Sequence, residues 1–205
     1  MEWRELLDQC GMLHPGGEDL TKKMILASKV FSGKALDIAC GVGIGCEQLI
    51  MNGFETVGVD ADPLLTAEAE MRVKDAVIIC SNANQLPFEE GSFDLVMCEC
   101  SLSVFDEKEC VLNEVIRVLR SGGKFIFSDL YSKECNDFFS LKGWVSLVES
   151  SGFFNTEIFS VDEVWRSFVA RLIWEGINLK DLSSCVLPDV SPKDLSYFYA
   201  VTEKP

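Results

Sequence analysis

Asp37-Ile38-Ala39-Cys40-Gly41-Val42-Gly43-Ile44-Gly45, followed by Thr56-Val57-Gly58-Val59 with Asp60 at its end, is the stretch that decides the fold. Residues 34–38 have the apolar run of a short buried strand, and the glycines after it allow a sharp turn and a close backbone approach to a ligand. A helix starting near Gly45 aims its free N–H groups at that ligand. Residues 56–59 form a second strand, and Asp60 at its end is placed to accept hydrogen bonds from a ribose diol. Strand, Gly-rich turn, helix, strand and acid together make a cradle for a nucleotide-type ligand.

A Gly-rich turn alone is a weak signal, and the residues around this one sharpen it. A dinucleotide fingerprint spaced from Gly41 and Gly43 requires a third glycine where Cys46 stands, and Asp37 precedes the turn where dehydrogenases have apolar strand. Asp37-x-x-Cys40-Gly41-x-Gly43 fits S-adenosylmethionine better than NAD. Farther on come Asn84-Gln85-Leu86-Pro87-Phe88-Glu89-Glu90-Gly91-Ser92-Phe93-Asp94-Leu95-Val96 and Arg117-Val118-Leu119-Arg120-Ser121-Gly122-Gly123-Lys124-Phe125. In order and composition these motifs resemble class I S-adenosylmethionine-dependent methyltransferases of the broad UbiE-like group. The resemblance covers roughly residues 12–204. It implies a Rossmann-like α/β fold: a seven-stranded, mostly parallel sheet, helices on both faces and an antiparallel C-terminal hairpin strand. It also implies S-adenosylmethionine as cofactor and S-adenosylhomocysteine as product.

Composition agrees with one enzyme domain. A chain of 205 residues, 48% hydrophobic, is long and apolar enough to bury a substantial core. The charged N-terminus does not read as a signal peptide, and no apolar run approaches the ~20 residues that span a bilayer, so a cytoplasmic location without membrane partners is expected. With 18 basic and 33 acidic residues the net charge is −15, which repels a phosphate backbone and argues against nucleic acid as a partner. Nine cysteines, an odd number without a Cys-x-x-Cys pair, argue against a disulfide framework or a structural zinc; most are expected as small buried hydrophobes. No metal is expected.

Alternating periodicities predict helices over residues 20–31, 45–51, 62–74 and 106–119, and strands over 76–80, 93–98 and 124–130. Asp62 is placed as an N-cap with Pro63 at the first helical position, and Asn52-Gly53 as a helix stop. Beyond Tyr131 a helix is expected over 141–149, a strand over 153–159, a Trp-rich helix over 161–175 and a strand over 197–202. The resemblance makes these last two strands an antiparallel hairpin with the helix inserted between them. Trp144, Trp165 and Trp174 are read as core or lid packing. A single domain over 1–205 follows, with residues 1–32 as an N-terminal helical lid and 131–180 as an acceptor-side segment.

In open α/β sheets a ligand lies outside the carboxyl ends of the strands, where strand order reverses. That rule selects Asp37 to Gly43, Asp60 with Ala61, the turn at Asn82 and Ala83, Cys98 with Glu99, and Asp129 with Tyr131. The resemblance implies that Asp37, Ala39, Cys40, Gly41 and Gly43 hold the methionine moiety, and Asp60 and Ala61 the ribose. It places the adenine edge at Asn82 and Ala83, and the remaining wall at Cys98 and Glu99. Asn82 stands where the family has Asp, which weakens the adenine contact because a neutral acceptor replaces a charged one. His14, the only histidine, lies in the lid, and His14, Asp129, Tyr131 and Glu99 are candidates by position for substrate contact or for a base. None has the spacing of a known base, so the catalytic residue stays unassigned.

The expected reaction is in-line methyl transfer to a small, partly apolar acceptor, whose identity the sequence does not name. Two alternatives stand beside it. Cys40, Cys98 and Cys100 lie at strand ends, and some arsenic methyltransferases with similar cofactor motifs hold a metalloid by thiolates. These cysteines lack that family's spacing, and Cys98 and Cys100 are expected to point to opposite faces. The chain is otherwise a cofactor-binding protein without turnover.

Overall fold

The computed structural model describes residues 14–134, 139–176 and 193–205. Its elements are α1 (Gly17–Ala27), β1 (Gly33–Ile38), α2 (Ile44–Met51), β2 (Phe54–Asp60), α3 (Pro63–Arg72), β3 (Val77–Cys80) and β4 (Phe93–Glu99). A single 3-10 turn (Leu102–Val104) leads to α4 (Lys108–Val118), β5 (Leu119–Ser132), α5 (Leu141–Ser150), β6 (Phe154–Ser160), α6 (Asp162–Trp174) and β7 (Leu195–Glu203). The strands form one sheet in the order β3-β2-β1-β4-β5-β7-β6. β1 to β5 pair in parallel, and β7 runs antiparallel to both β5 and β6. This is the Rossmann-like fold that the motifs implied, with strand order reversing between β1 and β4.

Both faces are buried, as a parallel sheet requires. One face packs Ala35, Leu95, Met97, Ile126 and Tyr197 under α1 and α6. The other packs Leu36, Val96, Phe125, Phe127 and Phe198 under α4 and α5, with Trp144 of α5 fully buried. There the rings of Phe125 and Phe127 stack at 5.0 Å, and the Trp144 indole N–H donates to the Leu130 carbonyl at 3.0 Å.

Several boundaries differ from expectation for local reasons. α1 starts and ends earlier than residues 20–31: Gly16 and Gly17 supply positive φ at its start, and Lys29, at φ 59°, stops it before Phe31. Phe31 is left 70% exposed. β5 extends over 14 residues because Leu119 pairs with Phe93 before the register shifts, and because β7 continues the ladder as far as Ser132. Asp62 caps α3 as expected, accepting from Leu64 N at 2.7 Å. Trp144 and Trp165 are core, but Trp174 is 88% exposed on the last residue of α6. Cys40, Cys46 and Cys98 are buried, whereas Cys80 at the end of edge strand β3 and Cys110 on α4 face solvent. Parts of the expected lid and acceptor-side segment, residues 1–13, 135–138 and 177–180, lie outside the described residues. Among the described residues no helix is long and apolar enough to cross a membrane.

Candidate functional site

The turn after β1 is built on three left-handed residues, Ala39 (φ 58°), Gly41 (φ 54°) and Gly43 (φ 86°). Ala39 is the one that carries a Cβ, and such a conformation in a non-glycine residue persists only where the surroundings enforce it. They do: Cys40 N donates to Val59 O at 3.1 Å, and Gly43 N to Cys40 O at 2.8 Å. Asp60 closes the turn from β2, its Oδ2 accepting from Gly41 N at 2.9 Å and its Oδ1 from Asp62 N at 2.9 Å. Each oxygen of an ionised carboxylate keeps a further lone pair, so Asp60 can order the turn and still accept from a diol.

The glycines were expected to be there for close approach to a ligand, and the structure divides that role. A Cβ on Gly41 would meet nothing within 4 Å, so its side of the turn is open. A Cβ on Gly43 would lie 2.8 Å from Val73, just past α3, and 3.3 Å from Ala69 of α3, and one on Gly45 2.5 Å from Asp37 Oδ2 and 2.8 Å from Met97. Gly43 and Gly45 therefore serve protein packing, bringing α2 down onto α3 and onto the end of β1. Gly58, in the interior of β2, does the same for two thiols: a Cβ there would lie 2.7 Å from Cys46 Sγ and 2.9 Å from Cys40 Sγ.

Beneath the turn lies a buried carboxyl group with little to hold it. Asp37 is 3% exposed, and its one hydrogen-bond donor among the described residues is the weak Cys46 thiol at 3.5 Å. Burial, and next the Glu99 carboxylate, hold the Asp37 carboxyl well above the usual carboxylate range. Glu99, at the end of the adjacent strand β4, is reached from α1: the Thr21 hydroxyl lies 3.0 Å from both its oxygens, and His14 Nε2 lies 3.7 Å from Oε2. Burial raises the Glu99 pKa, opposed by His14 and Thr21. Thr21 carried no motif; its only sequence signal is a polar residue on the buried face of an amphipathic helix.

The remaining predicted residues lie along the same sheet end. Asn82 is exposed and Ala83 buried, in the turn after β3. Cys98 packs on the α4 and α5 face, while Cys100 packs on the α1 and α6 face. The two thiols diverge as expected, but for a different reason. Residues two apart in a continuing strand share a face, and it is the left-handed Cys100 (φ 52°), beyond the end of β4, that parts them. Burial pushes the Cys98 thiol up, followed by the carboxylates of Asp129, Asp37 and Glu99, so it is kept from ionising. Asp129 is fully buried, accepting from Ser103 N and Leu130 N at 2.7 Å each; burial lifts its pKa to about 6. Tyr131 donates from its hydroxyl to Asp162 Oδ1 at 3.0 Å and lies 2.8 Å from Ser160 Oγ.

A family model described as a methyltransferase domain matches residues 36–127. A methyltransferase of Synechocystis sp., itself uncharacterised, is 33% identical over 156 residues, 74% of this chain and 71% of that protein. The chain belongs to the class I S-adenosylmethionine-dependent methyltransferases. A demethylmenaquinone methyltransferase of Thermotoga maritima is 32% identical over 123 residues, 56% of this chain and 54% of that enzyme, so the match spans about half the enzyme's length. Among solved structures the [4+2]-cyclase SpnF superposes with a TM-score of 0.81 over 98% of this chain and 93% of that one. At 17% identity that likeness concerns the fold alone, which hosts more than one reaction.

The residues of this methyltransferase fit the family's cofactor. Its sulfonium and ammonium groups are cationic, and the ends of β1 and β4 present two buried carboxyl groups short of donors among the described residues, Asp37 and Glu99. Its ribose offers a diol, and Asp60 keeps lone pairs beside the open side of Gly41. When bound, the cofactor supplies a methyl group on a sulfonium, a leaving group that needs no further activation. What the chain has to provide is alignment of an acceptor within ~3 to 3.5 Å and exclusion of water.

Proposed function

We propose that this methyltransferase transfers a methyl group from S-adenosylmethionine to a small, partly apolar molecule seated between α1 and the segments that follow β5. The observation that carries the reading is the meeting of Asp37, Asp60 and Glu99 at the carboxyl ends of β1, β2 and β4, around the turn whose open side is Gly41. In this reading Asp60 and Ala61 hold the ribose and Asn82 and Ala83 the adenine edge. Asp37 and the backbone from Ala39 to Gly43 hold the amino-acid end, and Cys98 and Glu99 complete the wall.

The acceptor side consists of His14 and α1, Asp129 and Tyr131. A net charge of −15 supports a small molecule over nucleic acid. Asp129 serves as a positioning residue: bonded to Ser103 N, it fixes the turn from Cys100 to Val104 that borders the site. The whole chain, 1–205, acts as one domain.

The test combines equilibrium binding with transfer of a radiolabelled methyl group to fractionated acceptor pools. Saturable S-adenosylmethionine binding, with label entering a low-mass fraction and stoichiometric S-adenosylhomocysteine, is the expected result. Binding of NAD instead of S-adenosylmethionine, or label entering only protein or nucleic acid, sinks the reading.

A further inference from the structure

Asp37 and Glu99 stand on neighbouring parallel strands, Asp37 level with Met97 and Glu99 two residues farther along β4. Their side chains turn to the same face, where α2 supplies Cys46 and α1 supplies Thr21. Two ionised carboxylates offer about eight acceptor sites, and among the described residues one thiol and one hydroxyl hydrogen reach them. The other titratable groups facing them are Asp60 on β2, Cys46 on α2, Cys98 and Cys100 beside Glu99, and His14 ahead of α1. His14 Nε2, at 3.7 Å from Glu99, stands beyond hydrogen-bond distance. Two buried like charges this poorly compensated retain a proton until a cation arrives.

Resting on the methyl-donor reading, in which Asp37 already holds the amino-acid end, we propose that Glu99, held from α1 by Thr21, joins Asp37 against the donor's ammonium group and shares a proton with it in the free protein, which donor binding expels. No covalent bond changes: the ammonium enters with its three hydrogens, and the carboxylic acid proton leaves to buffer. Glu99 then determines both affinity for the amino-acid end and its pH dependence. Affinity rises with pH while the free pair still carries the proton, and levels off once the pair is ionised before binding.

Calorimetric titrations at one pH in two buffers of different ionisation enthalpy read the protons released per ligand bound. S-adenosylmethionine and S-adenosylhomocysteine share the ammonium and are expected to release protons to the same extent, at a pH where the free pair still carries its proton. 5′-Methylthioadenosine lacks the amino-acid end and is expected to release none. In Glu99→Gln, affinity for both ammonium ligands should fall about tenfold or more, with proton release reduced, while 5′-methylthioadenosine binds within about twofold of wild type. The proposal is overturned by equal proton release with all three ligands, or by unchanged release and affinity in Glu99→Gln. The comparison of ligands on the wild-type protein tests it even where the variant does not fold. If none of the three adenosine compounds binds, the methyl-donor reading itself falls.

Discussion

Asp37 and Glu99, on β1 and β4, and Asp129 and Asp162, on β5 and at the start of α6, are acids near the same edge of one fold, yet they are held in opposite ways. The first two are buried with one thiol and one hydroxyl between them. Asp129 is as deeply buried but has a backbone N–H on each oxygen. Asp162 gathers Lys133, Ser160, Ser196 and Tyr131, at 2.7, 2.7, 2.5 and 3.0 Å. An acid whose partners are supplied by the chain itself stabilises that chain; an acid left short of partners is available to a ligand. The halves also differ in what fills them, since the half from β5 onward holds an aromatic cluster around Trp144.

The division is open to direct attack. Trp144→Ala is expected to cost ~3 to 5 kcal/mol and to lower Tm by roughly 10 °C, while protein still folded at low temperature binds S-adenosylmethionine as before. Loss of binding in that folded protein would mean that the two halves are not separable. Asp60→Ala works from the other side: thermal unfolding should change by only a few degrees, but binding should weaken ~100-fold as the turn and the ribose lose their shared acceptor. A variant that binds normally would place the ribose elsewhere.

Asp129 and Asp162 give two smaller effects of opposite sign. Because burial lifts the folded-state pKa of Asp129 to about 6, its contribution to stability is present at acid pH and is lost as pH rises through about 6. Between pH 4 and 7 the wild type should therefore lose ~2 to 3 kcal/mol more than Asp129→Asn in urea unfolding, and parallel profiles would contradict the assignment. Asp162 is depressed, first by Lys133 and then by the hydroxyls of Ser160 and Ser196, so its contribution is present at neutral pH and is lost as pH falls. With its side chain 36% exposed, Asp162→Asn should lower stability by only ~1 kcal/mol at pH 7, converging on the wild type in acid. A difference that grows on acidification would reverse that sign.

The cradle was legible because its requirements are local. Asp37, the left-handed glycines and Asp60 follow one another within a single strand-turn-helix-strand unit, and the Leu86-Pro87-Phe88 and Gly122-Gly123 segments fix the order of what comes next. Gly58 was visible as a glycine inside a strand, but that it accommodates Cys40 and Cys46 was not. Thr21 and Glu99 lie 78 residues apart, and nothing in either segment specifies the other. Tyr131, read as a site residue from its strand end, has a hydroxyl whose partners come from β6 and α6, elements without a motif.

By itself, then, the sequence determined a mostly parallel α/β fold class and the turn with its acids, which short-range backbone chemistry sets. Tertiary structure alone decided which acids are satisfied and which are not. It also decided which glycines serve packing, and that the left-handed Cys100 is what parts it from Cys98. The reason is physical: hydrogen-bond satisfaction and burial depend on what other elements bring to a group, and α1, α2 and β4 meet around Asp37 and Glu99 only once the sheet has formed.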